Sequence, residues 1–498
     1  MENRHNRPIR YLVKDILLVT INAKWIHSSL ALRLLKANLE ALEDRCEILE
    51  FALRQPLAEM TEPITLARPL ILGISVSIWN HTATLELLEE LEKIWAGEKR
   101  ERPIVVLGGP EVSHLPESAE IFRYADYVIR GEGEIAFREL CQDILANPDS
   151  YRDKISNNKF LFPVPCSLLT VKPAYHLYTD EDITRKLIYV EASRGCLFNC
   201  EYCLSAVKTE HAHQGEAVRE FPLEPFFAEM DILIRRGVKI FKFLDRTFNI
   251  NIKRAIQIME FFLERIKTAE KPLSVHFEMA GSLFPPELRE MLTRFPPGSL
   301  RLEVGVQTLN PEVAARINRL SSPEKELENL CFLREKTNAI IHADLIAGLP
   351  GEDLVSFGKG FDRLWQSLNK EQRASVPAAR PRLEIQLGIL KLLPGAPISR
   401  YSESFGMRYS PAPPYEVLET SVMSENDLNR IKNFARFWEI IVNRGDPSFE
   451  IQNLLCTSSS VFERFMALSD FLFASFGRNW GIDKNELRKA VGLFLNSH

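Results

Sequence analysis

The chain has 498 residues, enough for about two to four domains with separate cores, so a single compact domain is not expected. Its 62 Lys and Arg against 67 acidic residues leave a formal charge of −5, with no basic block to neutralise a phosphate backbone, which argues against nucleic acid as a partner. Met1 to Lys14 is polar and charged without the apolar core of a signal peptide, and no run approaches roughly 18 apolar residues. A soluble, cytoplasmic protein with no membrane span is expected.

From Asp15 to about Ala146, apolar runs alternate with helical patterns: Ile16 to Ile21, Ile48 to Ala52, Leu70 to Val76, Ile104 to Leu107 and Tyr127 to Ile129. This alternation predicts a doubly wound, Rossmann-like parallel sheet with helices on both faces, over a domain spanning 1–146. Ligands in such sheets bind at the carboxyl ends of the strands. Polar and glycine-rich segments fall at those ends: Thr20-Ile-Asn-Ala-Lys24, Ser75-Val-Ser-Ile-Trp79, Gly108-Gly-Pro-Glu111 and Arg130-Gly-Glu-Gly-Glu134. Taken singly, each glycine after a strand is ordinary turn chemistry. Residues 147–186, with four prolines and little periodicity, read as a linker.

The run Glu191-Ala-Ser-Arg-Gly-Cys-Leu-Phe-Asn-Cys-Glu-Tyr-Cys-Leu-Ser205 places Cys196, Cys200 and Cys203 at C-x3-C-x2-C spacing with no fourth cysteine nearby. Three thiolates hold a [4Fe-4S] cluster while leaving one iron open to a ligand. Two other readings stand beside this one: a zinc site completed by His211 or His213, and a chance grouping of small apolar residues. The other five cysteines, Cys46, Cys141, Cys166, Cys331 and Cys456, are scattered as reduced thiols would be. With Tyr202 just before its third cysteine, the motif resembles the signature of the radical S-adenosylmethionine (radical SAM) enzymes. The resemblance implies that Cys196, Cys200 and Cys203 bind the cluster and that the open iron chelates S-adenosylmethionine. An electron from the cluster then cleaves the sulfonium to a 5'-deoxyadenosyl radical, and Tyr202 lies near the adenine.

With Val106-Leu-Gly-Gly-Pro110 and Asp126-Tyr-Val-Ile-Arg-Gly-Glu-Gly-Glu134 ahead of the cysteines, the N-terminal part is similar to the cobalamin-binding domain of one large radical SAM subfamily, the class B methyltransferase-like enzymes. An unliganded flavodoxin-like domain is the alternative. The resemblance implies that Gly108, Gly109 and the loop Gly131, Glu132, Gly133 and Glu134 line the corrin and its nucleotide tail. It also implies that Ser75 and Ser77 reach the base, with Asn22 at the neighbouring strand end. Proteins that ligate cobalt with histidine carry Asp-x-His-x-x-Gly after the first strand. His27, in Asn22-Ala-Lys-Trp-Ile-His-Ser-Ser-Leu30, lacks that frame and is expected to pack at the start of a helix from Ser28 to Leu42.

From Leu187, strands recur at Leu187 to Ala192, Lys239 to Leu244, Leu273 to Met279, Leu300 to Val306, Ile340 to Ile346 and Leu383 to Leu390. They match the partial (β/α)6 barrel of the superfamily over 187–400, with its site at the strand ends. Strand ends carry Asp245-Arg-Thr-Phe-Asn249, Glu278, Glu303 with Gln307, and Asp344 through Glu352. S-adenosylmethionine offers a sulfonium, an ammonium, a carboxylate and a ribose diol, for which these side chains are apt. By resemblance, Asp245 and Arg246 approach the ammonium, Glu303 and Gln307 the ribose or sulfonium, and Arg319 a carboxylate. The plainer roles are a surface ion pair for Asp245 and Arg246 and a satisfied barrel carboxylate for Glu303. A Gly-Gly-Glu triplet is missing; Leu244-Asp-Arg-Thr-Phe248 stands in its place, which puts the ammonium contacts in doubt. The Gly348-Leu-Pro-Gly-Glu352 turn serves either the adenine or only the strand exit. Over 401–498 the chain is helical, with apolar spacing at Leu428 to Val442, Val461 to Phe476 and Leu487 to Leu495; its aromatics are expected to be core.

An enzyme with a [4Fe-4S] cluster, S-adenosylmethionine and cobalamin is therefore expected, methylating an unactivated carbon of a small-molecule or peptide substrate and drawing electrons from a donor such as a flavodoxin or ferredoxin. Cobalamin-dependent rearrangement or ring formation is the alternative, as is a non-catalytic cobalamin or redox sensor.

Overall fold

A computed structural model describes residues 14–98, 101–148, 159–163, 168–206, 217–268, 271–319, 322–369, 383–444, 449, 451–455 and 460–497. Cys166, Cys456, His211, His213 and the first thirteen residues lie outside the described residues. The chain divides into two compact units, Met1–Ala192 with Lys208–Val238, and Ser193–Val207 with Lys239–His498. The cysteine run groups with the later strands, and the segment just before it with the first unit.

In the first unit, β1 (Ile16–Asn22), β2 (Cys46–Ala52), β3 (Ile71–Ser75), β4 (Ile104–Gly108), β5 (Tyr127–Ile129) and β6 (Phe160–Leu161) form a parallel sheet in the order β2-β1-β3-β4-β5-β6. Leu17, Val19 and Ile21 of β1 share a core with Met60 and Ile64 of α2 (Leu57–Ala67) and Leu87, Leu91 and Trp95 of α3 (His81–Gly97). Ile16 and Leu18 point the other way, to Leu32 of α1 (Leu30–Ala37) and Phe137, Leu140 and Ile144 of α4 (Glu134–Ala146). Helices on both faces explain why every residue of β1 is buried and the strand is apolar but for Thr20 and Asn22. Strand order reverses between β1 and β3, so the crevice for a ligand opens at their carboxyl ends.

Helix α1 is shorter than the expected Ser28 to Leu42. Ser29 caps it and it stops at Ala37, with Asn38 turning its amide to the Leu34 and Lys172 carbonyls. The Lys172 contact belongs to the expected linker, whose later part is packed structure. Asp182, in α5 (Asp180–Arg185), meets Arg33 at 2.7 Å and Lys186 at 2.9 Å, while Arg33 also pairs with Glu50 at 3.0 Å. Arg33 lies over the Tyr178 ring, 4.6 Å from its centroid. After this segment come β6's successor β7 (Ile188–Val190) and α6 (Leu223–Arg236), both in the first unit.

The second unit holds β8 (Ile240–Phe243), β9 (Ser274–Ala280), β10 (Leu300–Gln307), β11 (Ile340–Ala347) and β12 (Leu383–Ile389), parallel and in the order β12-β11-β10-β9-β8. One face is apolar: Phe243, Phe248, Phe262 and Phe277 stack together, Phe248 and Phe277 with centroids 3.9 Å apart. Helices α7 (Ile252–Thr268), α8 (Pro286–Thr293), α9 (Pro311–Arg316), α10 (Pro323–Lys336) and α11 (Leu354–Leu368) connect the strands. The C-terminal helices α12 (Glu425–Trp438), α13 (Val461–Phe476) and α14 (Lys484–Ser497) follow. Phe434, Trp438 and Phe465 bury one another with Phe361 of α11, so these aromatics are core. Past α12, the buried Asn443 accepts from Ile385 N at 3.2 Å and donates to Ile385 O at 3.0 Å. That amide closes part of the open backbone of the edge strand β12, an edge that would otherwise invite pairing with another chain.

Candidate cofactor site

The cysteine run forms a loop held from several sides within the second unit. The N–H of Glu201 donates to Ile317 O at 3.0 Å, its carbonyl accepts from Ile398 N at 2.8 Å, and its carboxylate pairs with Arg400. Asn318, in the left-handed region at φ 55°, donates its amide to Asn199 O at 2.9 Å. At the end of β8, Asp245 accepts from Ser193 Oγ at 2.5 Å and Thr247 Oγ1 lies 3.5 Å from Cys196 Sγ. A loop with this many fixed backbone groups presents its sulfurs without reorganising.

None of the three thiols is in a disulfide; Cys200 is buried, Cys196 and Cys203 half-buried. Burial pushes the Cys200 thiol up, opposed by the Arg319 guanidinium and a hydrogen bond with Tyr202. Among the described residues no three His, Cys, Asp or Glu side chains converge on a single ion. The donor set suits a cluster, whose thiolates sit on separate corners, better than one tetrahedral ion.

The second sheet turns a polar face away from its aromatic core. Register aligns Lys242, His276 and Arg301 in one row, Glu278, Glu303, His342 and Glu384 in the next, and Gly305, Asp344 and Gln386 in the third. Glu303 Oε2 lies 3.2 Å from His276 Nε2 and 3.6 Å from Lys242 Nζ, and His342 Nδ1 lies 3.1 Å from Glu384 Oε2. The hydrogen bond with His276, together with Lys242, holds Glu303 down to about 2 despite burial. Burial, then repulsion from Glu303, pushes Glu278 and Asp344 each up to about 7. Burial, reinforced by Arg301, lowers His342 to about 4, and its buried Nε2 has no hydrogen-bond partner among the described residues. Near-neutral carboxyls and an unsatisfied imidazole nitrogen are groups that a polar ligand can engage.

Gln307 ends β10 at φ 69°, after a register shift from Gly305. A Cβ on Gly305 would stand 2.3 Å from Gln307 Nε2, so the amide folds back over the glycine. A non-glycine residue in this conformation is costly unless its surroundings enforce it.

In the first unit, the crevice between β1 and β3 is braced by Asn80, which sequence reasoning passed over because an Asn before a helix reads as a cap. Its side chain instead accepts from Ser77 N at 2.7 Å and donates to Ile21 O at 3.0 Å and Ser75 O at 3.3 Å. Trp25 and Trp79, in the loops after β1 and β3, are half-exposed at 51% each.

Residues 16–141 match the B12 binding domain family and residues 190–362 the Radical SAM superfamily. The chain joins a B12-binding domain to a radical SAM domain. Residues 403–496 match a third family, described as a protein of unknown function, DUF4080. Over 245 residues the chain is 27% identical to the uncharacterized methyltransferase PH0819 of Pyrococcus horikoshii, covering 46% of this chain and 50% of that one. It is 24% identical to the cobalamin-dependent radical SAM methyltransferase TokK of Streptomyces tokunonensis, over 72% of this chain and 52% of that one. The chain thus spans about half the length of these curated relatives. Its fold is similar to that of OxsB, a cobalamin-dependent S-adenosylmethionine radical enzyme, with a TM-score of 0.64 at 15% identity, over 98% of this chain and 76% of that one.

In the B12-binding domain, internal contacts account for several of the residues assigned by resemblance. Asn22 donates to His27 O at 3.1 Å, and Glu132 pairs with Arg219 through two contacts, one of 3.0 Å. Gly109, at φ 107°, sits where a Cβ would be 2.5 Å from Val76 O, and a Cβ on Gly133 would press Leu35 at 3.2 Å. Gly131 has open space instead, and a Cβ on Gly108 would meet Ile129 O only at 3.8 Å. Glu134, buried, starts α4. His27 binds Tyr189 through Nδ1 at 2.7 Å, the polar packing expected of it.

In the radical SAM domain, Asp245 is buried and accepts from Ser193 Oγ in the cysteine segment, and Arg246 is exposed. Glu303 belongs to the polar row. Arg319 pairs with Glu326 at 3.2 Å and donates to Gly305 O. Gly348 and Gly351 adopt φ 83° and 79°, where a Cβ would come within 2.4 Å of Val417 and 2.5 Å of Arg316.

Proposed function

We propose that this chain is a cobalamin-dependent radical SAM enzyme that methylates an unactivated carbon. The observation that carries the reading is the clasped loop of three unbridged thiols beside a polar sheet face, in a chain that also carries a B12-binding domain. Cys196, Cys200 and Cys203 hold the cluster. Tyr202, Asp245, Arg246, Glu303 and Gln307 surround S-adenosylmethionine. Ser75, Ser77, Gly108 and Gly131, the last with open space beside it, face cobalamin. When bound, these groups supply one-electron cleavage of a sulfonium and a transferable methyl. The protein's part is to fix the loop, to offer neutral carboxyls at Glu278 and Asp344 as hydrogen-bond donors, and to keep water from the reacting carbon.

No helix among the described residues is long and apolar enough to cross a membrane. A cytoplasmic setting with a flavodoxin or ferredoxin as electron donor fits an oxygen-sensitive cluster.

Anaerobic reconstitution tests the reading. Iron–sulfur and corrinoid absorption should appear as separate bands, 5'-deoxyadenosine should form under reduction, and S-adenosylmethionine with a deuterated methyl should label the bound corrinoid. Replacing any of Cys196, Cys200 or Cys203 by Ala should abolish nucleoside formation. Loaded protein that makes no 5'-deoxyadenosine refutes radical chemistry; failure to take up corrinoid refutes methylation alone.

A further inference from the structure

The C-terminal helices enclose a cavity of about 340 Å³, lined in part by Arg436, Arg444, Asn479, Trp480, Gly481 and Lys484. Residues 401–498 carry more acidic than basic side chains, yet none of the residues lining this cavity is acidic. The chain departs from ordinary helix geometry to build it. Directly after α12, Glu439–Asn443 forms one π-helical turn. Eight steps of unbroken α-helix would set Arg436 and Arg444 about 80° apart around the axis; a π turn spends roughly one extra residue, which leaves about 20° between them. Both arginines, with Ile440 between them, thus reach the cavity, while Asn443 of the same turn bonds to Ile385 of β12. The opposite wall is the link between α13 and α14, which is pinned to α12: Asn479 Nδ2 donates to Asn433 Oδ1 at 2.7 Å, and Arg436 Nε donates to Asn479 O at 3.3 Å. Arg444 Nε lies 3.5 Å from Glu439 Oε1. The terminal nitrogens of both arginines meet no partner among the described residues. Trp480 is 68% exposed, and Gly481 beside it, at φ 63°, would meet nothing within 4 Å if it carried a Cβ.

We propose that this cavity is a binding site for a small phosphate monoester that carries a flat ring. Like charges gathered around one space repel, and a ligand with two negative charges removes that cost. A guanidinium whose Nε is already held presents its paired terminal nitrogens as a fork that matches phosphate oxygens, and the lysine adds a point charge. The exposed tryptophan offers a face on which a ring can stack, and the glycine after it leaves the space beside that face clear. A volume of about 340 Å³ exceeds what a bare phosphate fills and lies at the lower end of ordinary small-molecule pockets. The cavity shares no residue with the cysteine loop or the polar rows, so a ligand here is additional to S-adenosylmethionine and cobalamin.

The test is a calorimetric titration of the full-length protein with phenyl phosphate, with S-adenosylmethionine and cobalamin kept in excess so that neither of their sites accepts the probe. The wild type should bind phenyl phosphate more tightly than inorganic phosphate, which lacks the ring, and than benzoate, which carries a single charge; phenol should not bind. Arg444→Met, at an exposed position, should weaken binding about tenfold or more, as loss of a charge-assisted contact does, and Arg436→Met at least as much. Trp480→Ala should weaken it several-fold, and Trp480→Phe, which keeps a ring, should recover most of that loss. No saturable binding of phenyl phosphate, or binding that Arg444→Met and Trp480→Ala leave unchanged, overturns the proposal. Inorganic phosphate or benzoate bound as tightly as phenyl phosphate overturns the ligand class. Arg436→Met also gives up the bond to Asn479, so if its thermal melt falls, Arg444→Met and the two Trp480 variants decide. A protein that forms no 5'-deoxyadenosine refutes the radical reading and leaves this titration unaffected.

Discussion

The two parallel sheets of this chain are built alike and used differently. In the first, successive residues of β1 alternate between two helix layers, and both sets are apolar and buried. In the second, one set is apolar and the other carries Lys242, His276, Glu278, Arg301, Glu303, His342, Asp344 and Glu384. A sheet covered on both faces has no place for chemistry except beyond its strand ends, where backbone and loops meet a ligand. A sheet with one face turned from the helices places ionisable groups on the strands themselves, where rigid backbone fixes them.

The sharpest way to break this comparison is to exchange the two environments. Lysine in place of Leu18, which is 1% exposed between β1 and α4, buries a charge with no partner and should destabilise the first unit by about 3–5 kcal/mol or more. Ile346→Lys, at a half-buried position on the face of β11 that carries Asp344, introduces the same group where solvent is nearer, and should cost less than about 2 kcal/mol. Hydrogen exchange resolved by peptide reports each unit separately; equal losses at the two positions would mean that the polar face is not distinct.

A second prediction concerns Glu303, whose charge sustains its row. Glu303→Ala leaves Lys242 and His276 without their carboxylate and should cost about 1 kcal/mol, measured by urea unfolding of the second unit. Glu303→Gln should cost less and also remove the repulsion that helps to hold Glu278 and Asp344 up.

That repulsion gives the third prediction its sign. Glu278 and Asp344 are raised to about 7 in the fold, against roughly 4 when unfolded, so between those limits the folded chain binds more protons than the unfolded one. Their contribution is therefore favourable at low pH and declines as pH rises from about 4 to 7. Asp182 in the first unit shows the opposite dependence: burial raises its carboxyl, but Arg33, Thr179 and Lys186 outweigh burial and depress it. Its contribution is present above the ordinary carboxyl range and is lost as pH falls through the depressed value. The contribution of Glu278 and Asp344 should thus be lost between pH 5 and about 7, with that of Glu352, which is also raised to about 7, and against that of His342, whose lowered value favours the fold as pH rises; Glu278→Gln with Asp344→Asn should remove their part of the decline from the second profile. Parallel profiles in the two units would contradict these assignments.

The same contrast explains what could be read in advance. Most element positions were legible because burial dictates apolar patterns: the helix Val461 to Phe476 and the strand Tyr127 to Ile129 were placed to the residue, and β1, β10 and β11 to within one, whereas β6 fell inside the expected linker. The cysteine loop was legible because its chemistry is compressed into eight residues. Its supports were not, since Ile317 and Asn318 lie more than a hundred positions away and act partly through backbone atoms that carry no sequence signal. The polar row was half visible: Glu278, Glu303 and Asp344 stood out, but His276, His342, Lys242 and Glu384 acquire meaning only from the register that aligns four strands. The linker misled because prolines suppress periodicity, while its order comes from the distant partners Arg33 and Asn38.

The smallest expected effect separates two glycines that the sequence treats alike. Gly109 and Gly131 follow neighbouring strands of the first sheet and both sit in the left-handed region, at φ 107° and 111°. Alanine at Gly131 meets nothing within 4 Å and bears only the conformational penalty, about 1 kcal/mol. Alanine at Gly109 adds a contact of 2.5 Å with Val76 O and 2.9 Å with Val76 N, both backbone, so β3 or the loop must shift and the cost should reach about 2–3 kcal/mol. Corrin uptake should show the reverse order. Gly131→Ala places a methyl in space open to a ligand and should weaken cobalamin binding more than it weakens the fold. Gly109→Ala should weaken the two together. Thermal melts paired with cobalamin titrations would show it, and a Gly131→Ala variant that binds cobalamin like the wild type would remove that loop from the binding surface.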